Sequence, residues 1–230
     1  MEQTATAEEA DTRSRVSLTF GREMSTAEVE SMKRSLGART ALQVPPAVDA
    51  AYARARQIGF AKSSCPETGA LMSVLAAAAP AGGRILELGT GVGVGIAWIV
   101  HGLRGRTDVE VVSVENDPRK SALASGARWP EGVNLVVGEA KEVLPSLGSY
   151  DLIFLDVPGG LKASLLDGAI TALKPGGQLL IDDMKPYWSK RAPHRPPGER
   201  DPERLLGDPR VTCALLRYAS GMILATRLPA

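Results

Sequence analysis

Arg84-Ile85-Leu86-Glu87-Leu88-Gly89-Thr90-Gly91-Val92-Gly93-Val94-Gly95 is the stretch that decides the fold. An apolar run carrying one acid ends in a turn with glycine at every second position. An apolar segment, Ile96 to Leu103, follows at once. The pattern reads as buried strand, tight loop, buried helix. A loop this rich in glycine lets a ligand approach the backbone closely, because no Cβ stands in the way.

The spacing narrows the ligand. A dinucleotide fingerprint needs G-x-G-x-x-G. Here the third glycine position falls on Val94, Ile96 or Trp98, depending on the register, so NAD is not expected. No lysine follows in G-K-[ST] form, which excludes a phosphate-cradling P-loop. What stands is E-x-G-x-G-x-G, from Glu87 through Gly89, Gly91 and Gly93. A carboxylate two residues before the first glycine opposes a pyrophosphate. It suits a cofactor with an ammonium or sulfonium charge.

Outward from this motif the chain alternates strand and helix. Strands are predicted at Arg84–Leu88, Val109–Val114, Val133–Val137, Asp151–Asp156 and Gln178–Ile181, each short and largely apolar, as in parallel strands buried on both faces. Helices are predicted at Val94–Leu103, Pro118–Ala127, Ala140–Leu147 and Leu161–Leu173, with Asp117-Pro118 as an N-cap followed by proline at the first helical position. Val211–Leu216 and Met222–Thr226 flank Tyr218-Ala219-Ser220-Gly221 and read as a terminal hairpin. The sum is an α/β fold: a doubly wound, mostly parallel seven-stranded sheet with a C-terminal antiparallel hairpin and added N-terminal helices. Residues 1 to about 24 lack apolar periodicity and read as an arm. Helices are expected over Ser25–Leu36, from Pro45-Pro46 through Ile58, and from Pro66 to Ala79. The expected division is 1–62 for arm and helices and 63–230 for the cofactor-binding domain. Met184 to Asp208 is proline-rich and basic, holds Trp188 and His194, and leaves the carboxyl end of a strand. It reads as an irregular loop that either covers a bound substrate or is simply solvated.

Bulk properties fit a single-domain enzyme of ordinary charge. With 230 residues the chain can bury a sizeable core. Its 27 basic and 26 acidic residues leave a net charge of +1, which argues against nucleic acid or an anionic membrane as partner. The polar, acidic start is not that of a signal peptide. Cys65 and Cys213 suggest neither a disulfide framework nor a zinc site, so a cytoplasmic location is expected. The N-terminal helices offer a surface for a homodimer.

The glycine motif resembles motif I of the class I S-adenosylmethionine (SAM) methyltransferases, and the resemblance runs over roughly residues 63 to 230. It implies SAM as cofactor and assigns residues to it. Glu87, Gly89, Thr90, Gly91, Gly93 and Gly95 form the loop. Glu115, 26 positions after Gly89 at the end of the second strand, would accept the ribose hydroxyls. Asn116 would border the adenine. Glu139 would accept from the adenine amino group, and the Ala140 amide would meet a ring nitrogen. Equally, Glu139 is placed to complement a helix N-terminus.

Asp156 ends the fourth strand, and Asp182-Asp183 end the fifth. Together with Ser64-Cys65-Pro66-Glu67-Thr68-Gly69 upstream, they resemble the catechol-type O-methyltransferases. There a strand-four Asp and an Asp-Asn pair hold a divalent ion, and the upstream segment, here led by Ser64, closes over the methionine end of SAM. The resemblance implies Mg²⁺ or Ca²⁺ on Asp156, Asp182 and Asp183. The alternative is that Asp156 holds the cofactor's amino group while Asp182 and Asp183 orient the loop. The family's basic Lys position is Gly159 here, so Lys162 and His194 join Asp156 as catalytic candidates. The expected activity is O-methylation of a small-molecule hydroxyl. A SAM-binding sensor or silent partner subunit, and an aminopropyltransferase, are the alternative readings.

Overall fold

A computed structural model of the chain describes residues 43–184 and 202–229. The expected helix over Ser25–Leu36, the N-terminal arm, Trp188 and His194 lie outside the described residues. Two helices open the described part, α1 (Pro46–Gln57) and α2 (Pro66–Ala77). Then come β1 (Arg84–Leu88), α3 (Val94–Leu103), β2 (Glu110–Glu115), α4 (Pro118–Ser125) and β3 (Val133–Val137). The remainder is α5 (Ala140–Val143), β4 (Tyr150–Leu155), α6 (Gly159–Ala172), β5 (Leu173–Ile181), β6 (Val211–Leu216) and β7 (Met222–Arg227).

The seven strands lie in the order β3-β2-β1-β4-β5-β7-β6. All neighbouring pairs are parallel except β5–β7 and β6–β7, which are antiparallel. The expected sheet and its terminal hairpin are therefore present. β1 lies between β2 and β4, with chain order reversing between its two sides. A crevice forms at the carboxyl ends of the strands at such a switch point.

Alternation along the strands makes two cores. Leu86 and Leu88 of β1 face one side with Val112, Val114, Ile153 and Leu155, covered by Leu165, Leu166 and Ile170 of α6. Ile85 faces the other with Val111, Leu152 and Phe154, covered by α1, α2 and α3. Val48, Ala51 and Ala55 of α1 are buried in this second core. The sheet-bearing body thus includes a helix on the arm side of residue 62.

Local chemistry explains most element ends. The Asp117 side chain accepts from the amides of Arg119 at 2.9 Å and Lys120 at 3.4 Å, as an N-cap should. α5 is shorter than its apolar pattern, giving way to a 3₁₀ turn at Leu144–Ser146, because Pro145 has no amide proton to continue the α-helical ladder. β5 begins at Leu173 instead of Gln178, its pairing with β4 shifting between Tyr150 and Leu152. Part of the expected irregular loop is also regular, with Pro202–Gly207 forming a 3₁₀ helix.

The helix pair α2–α3 packs backbone to backbone. A Cβ on Gly102 would lie 2.2 Å from the Ser73 carbonyl oxygen, and one on Gly69 would lie 2.2 Å from the Trp98 indole nitrogen. Neither obstacle is a flexible chain end. Gly102→Ala is expected to destabilise the fold by about 1–3 kcal/mol through overpacking. The corresponding drop in melting temperature is about 2–4 °C per kcal/mol for a chain of this size. Differential scanning calorimetry checks it, and an unchanged midpoint would refute the tight α2–α3 contact.

Candidate active site

The site is built where β1 ends. Gly89 has φ +103° and lies against β4, so that a Cβ there would come within 2.2 Å of the Asp156 carbonyl oxygen. The loop amides of Gly89 and Thr90 donate to the Val114 carbonyl at 2.9 and 3.1 Å, tying the turn to β2. The Thr90 hydroxyl meets the Ser113 hydroxyl at 2.6 Å, and the Ser113 hydroxyl donates to Glu87 at 2.5 Å.

Glu87 is fully buried. Its carboxyl group fits beneath the first turn of α3 only because residue 95 has no side chain; a Cβ there would lie 1.8 Å from Glu87 Oε1. Burial pushes its pKa up to about 8, with smaller upward contributions from Asp156 and Glu115 and an opposing one from the Ser113 hydrogen bond.

Glu115, the expected ribose acceptor, is buried at the end of β2. One carboxylate oxygen accepts from the Gly91 amide at 2.8 Å, and the other from the Asp117 amide at 3.0 Å. Lys120 stands 3.6 Å away. Each oxygen retains capacity for a second bond. The expected adenine pair is joined: Asn116 donates to Glu139 at 3.0 Å, at the head of α5.

A cavity of about 790 Å³ joins these parts. Its walls include Glu87, Gly89, Thr90, Gly91, Gly95, Glu115, Asn116, Glu139 and Ala140, together with Ser64, Asp156, Lys162 and Asp183. Gly93 is the one expected loop glycine outside this wall. It turns into α3 at φ +88°, and a Cβ there would press on Trp129 at 2.9 Å.

The acids after β4 and β5 do not gather as expected for a metal. Among the described residues no group of three or more His, Cys, Asp or Glu side chains is placed to hold an ion. The reason is visible in their partners. Asp182, 2% exposed, points into the protein, where it accepts from Thr68 at 3.4 Å, from Ser220 of the β6–β7 turn and from the Asp183 amide at 2.8 Å. Asp183 itself is exposed, on backbone with φ +57°. Asp156 accepts from the Ser64 hydroxyl at 3.1 Å. Opposite charge comes from the protein: Lys162, 1% exposed on the first turn of α6, interacts electrostatically with both Asp156 and Asp182. Burial, then Asp182, raise the Asp156 pKa to about 7 while Lys162 lowers it; Asp182 is also raised, chiefly by burial.

Several residues of this site were not expected from sequence. Ser113 is the one that left a trace: a lone hydroxyl in Val111-Val112-Ser113-Val114 needs a buried partner. Phe60 lies over the loop, its ring 3.0 Å from where a Gly91 Cβ would stand, with Lys120 over its face. Tyr52 of α1 accepts from the Trp98 indole at 3.4 Å and donates to the Ser64 carbonyl at 2.7 Å.

With the geometry in place, comparison with known proteins is decisive. Residues 86–184 match the family model described as a methyltransferase domain. A protein of Mycobacteroides abscessus named "Putative O-methyltransferase" is 33% identical over 190 residues, covering 78% of this chain and 87% of that protein. The chain belongs to the SAM-dependent O-methyltransferase family. A relative from Mycobacterium sp. (strain JLS) with the same name is 31% identical, over 78% of this chain and 86% of its own length. Among solved structures, the O-methyltransferase TomG of Streptomyces achromogenes, described in complex with SAM, superposes with a TM-score of 0.71 at 21% identity. That match covers 90% of this chain and all of TomG. An O-methyltransferase from Bacillus cereus gives a TM-score of 0.70 at 20% identity, over 86% of this chain and 97% of its own. No helix among the described residues is long and apolar enough to cross a membrane.

The Trp98–Tyr52–Ser64–Asp156 chain of hydrogen bonds ties α1 and α3 to the end of β4. Tyr52→Phe removes one donor and leaves the Ser64 carbonyl short of a partner, at a cost of about 1–3 kcal/mol. The expected result is weaker SAM binding, since the disturbed Ser64 lines the cavity beside Asp156. A lowered melting temperature with SAM affinity unchanged would argue that Tyr52 only supports the fold.

Proposed function

We propose that this O-methyltransferase binds SAM along the cavity and methylates one hydroxyl of a small-molecule acceptor at its Asp156–Lys162 end. The observation that carries the reading is the single cavity running from the Asn116–Glu139 pair, past the glycine loop, to Asp156 and Lys162. Its size is that of a ligand pocket of about 300–1,000 Å³. In this reading Glu115 accepts the ribose hydroxyls, Glu139 and Ala140 meet the adenine, and Asn116 borders it. Gly89, Thr90, Gly91, Gly93 and Gly95 shape the loop around the methionine part. Ser64, Glu87 and Asp156 face the cationic end.

Methyl transfer is an in-line displacement. The acceptor oxygen forms a bond to the methyl carbon as the sulfur–carbon bond breaks, and its electron pair stays on sulfur. The acceptor's hydroxyl proton is lost. Positioning both reactants in one enclosed cavity supplies much of the acceleration.

Glu115→Ala should weaken SAM binding by about 1–3 kcal/mol, since it leaves ribose donors unpaired. Isothermal titration calorimetry measures this, alongside transfer of labelled methyl to a phenol library. Wild-type affinity in the variant would overturn the placement of the cofactor, and absence of transfer to any acceptor would overturn the reaction.

Glu87 makes a pH signature. Its folded pKa, about 8, lies above the ordinary carboxylate value of 4.5. The group therefore binds more protons folded than unfolded across that interval. Its contribution to stability is fully present below about 4.5 and is lost as pH rises towards 8. A bound sulfonium and ammonium favour the ionised form. SAM binding should thus release protons near neutrality and tighten between about pH 6 and 8. Glu87→Gln should reduce both effects, leaving the part that Asp156, raised to about 7, contributes at the same end. Calorimetry in two buffers of different ionisation enthalpy reads the protons released, and identical binding heats in wild type would contradict this role.

A further inference from the structure

The buried lysine of this site shares its electrostatic partners, Asp156 and Asp182, with the divalent cation that the resemblance to catechol-type enzymes implies. Lys162 is 1% exposed, lines the cavity on the first turn of α6, and faces the carboxylates of Asp156 and Asp182. A lysine is almost never buried to this degree without opposite charge beside it. The carboxylates that answer it are engaged elsewhere as well, Asp156 by Ser64 and Asp182 by Thr68, Ser220 and the Asp183 amide. A divalent ion on Asp156 and Asp182 would compete with the Lys162 charge and with the donors these carboxylates already accept from. Asp183 lines the same cavity but is exposed, and among the described residues no group of three such side chains is placed to hold an ion.

We propose that the Lys162 ammonium replaces the divalent cation, so that the enzyme binds its acceptor as a single phenolate-type oxyanion and needs no neighbouring second oxygen. The inference rests on the acceptor occupying the Asp156–Lys162 end of the cavity. A divalent ion chelates two adjacent oxygens, whereas an ammonium is a compact charge with three donors, enough for two carboxylates and one ligand oxygen. The hydroxyl proton of the acceptor leaves to solvent as the acceptor binds. Lys162 keeps its own proton throughout. The oxyanion then attacks the methyl carbon, and the sulfur–carbon electron pair remains on sulfur.

The test uses the full chain, saturated with S-adenosylhomocysteine, and 4-nitrophenol as probe. At a pH where half of the free probe is ionised, binding should raise its phenolate absorbance. The expected shift is about one pH unit, a tenfold change in ionisation. Lys162→Met should abolish the shift while S-adenosylhomocysteine still binds, and Lys162→Arg should retain part of it, which covers the case in which the Met variant fails to fold. In parallel, protein dialysed against chelator and titrated with Mn²⁺ should leave the ion's paramagnetic resonance that of free Mn²⁺. No absorbance rise in the wild type, or a bound Mn²⁺ signal that Asp182→Asn removes, would overturn the proposal. Either result with SAM binding and methyl transfer intact leaves the cofactor and reaction assignment standing. Loss of SAM binding in the wild type would sink that assignment instead.

Discussion

A glutamate carboxyl group buried beneath the first turn of a helix is costly unless every surrounding atom accommodates it, and here the accommodation sets the shape of the site. Glu87 lies on the same face of β1 as Ile85, under α3. Space for it comes from Gly95, and a hydrogen bond comes from Ser113, directly opposite in the β1–β2 register. Thr90 closes the same group by bonding Ser113 from the loop. The loop is thus held by polar contacts that exist because an acid is buried there. A leucine at position 87 would fit the strand pattern equally well and would remove the reason for Ser113 and Thr90 to meet.

A second buried charge group fixes the other half of the cavity. Asp182 at the end of β5 collects Thr68 from α2, Ser220 from the β6–β7 turn and the Lys162 charge from α6. The Met184 amide donates to the Gly221 carbonyl at 2.8 Å, adding a backbone tie at the same place. Elements far apart in sequence therefore converge on one carboxylate. Lys162 links this group to Asp156, and Asp156 is linked through Ser64 and Tyr52 to α1 and α3. Low local dielectric strengthens such contacts and raises the cost of leaving any member unpaired.

How far the sequence carried the reading depended on whether a feature was local. The strand–loop–helix at Arg84–Leu103 and the Asp117 cap are short-range, and the structure has them where the pattern put them. The doubly wound, mostly parallel sheet followed from the alternation of strand and helix, whereas the order of its strands came only with the structure. Strand-end logic correctly brought Asp156, Asp182 and Asp183 to one edge of the sheet. It did not specify where each side chain would turn. Asp182 turns inward because Thr68 and Ser220 offer donors there, and their sequence separations of 114 and 38 residues left no local sign. Lys162 follows the strand-four acid by six positions, and only the course of α6 after Pro158 returns it to that acid. Phe60 and Tyr52 were invisible for the same reason, since contact across a loop has no periodicity.

The distribution of charge in the proposed site has a consequence for the chemistry. Carboxyl groups surround the place assigned to the sulfonium, and an ammonium stands at the place assigned to the acceptor oxygen. Transfer joins a cation to an anion and leaves two neutral products, so charge disappears along the reaction coordinate. An enclosed site with few waters favours such a change, because fixed protein dipoles and charges replace hydration that would have to reorganise. The strength of the acceptor's counter-ion then sets a balance. A divalent ion ionises a hydroxyl strongly but also withdraws electron density from the oxygen that must attack. A single ammonium, with its charge shared between Asp156 and Asp182, ionises less and leaves the oxygen more nucleophilic. Such an arrangement suits acceptors that are already acidic, because for them the smaller ionising pull is sufficient and the retained nucleophilicity is the gain.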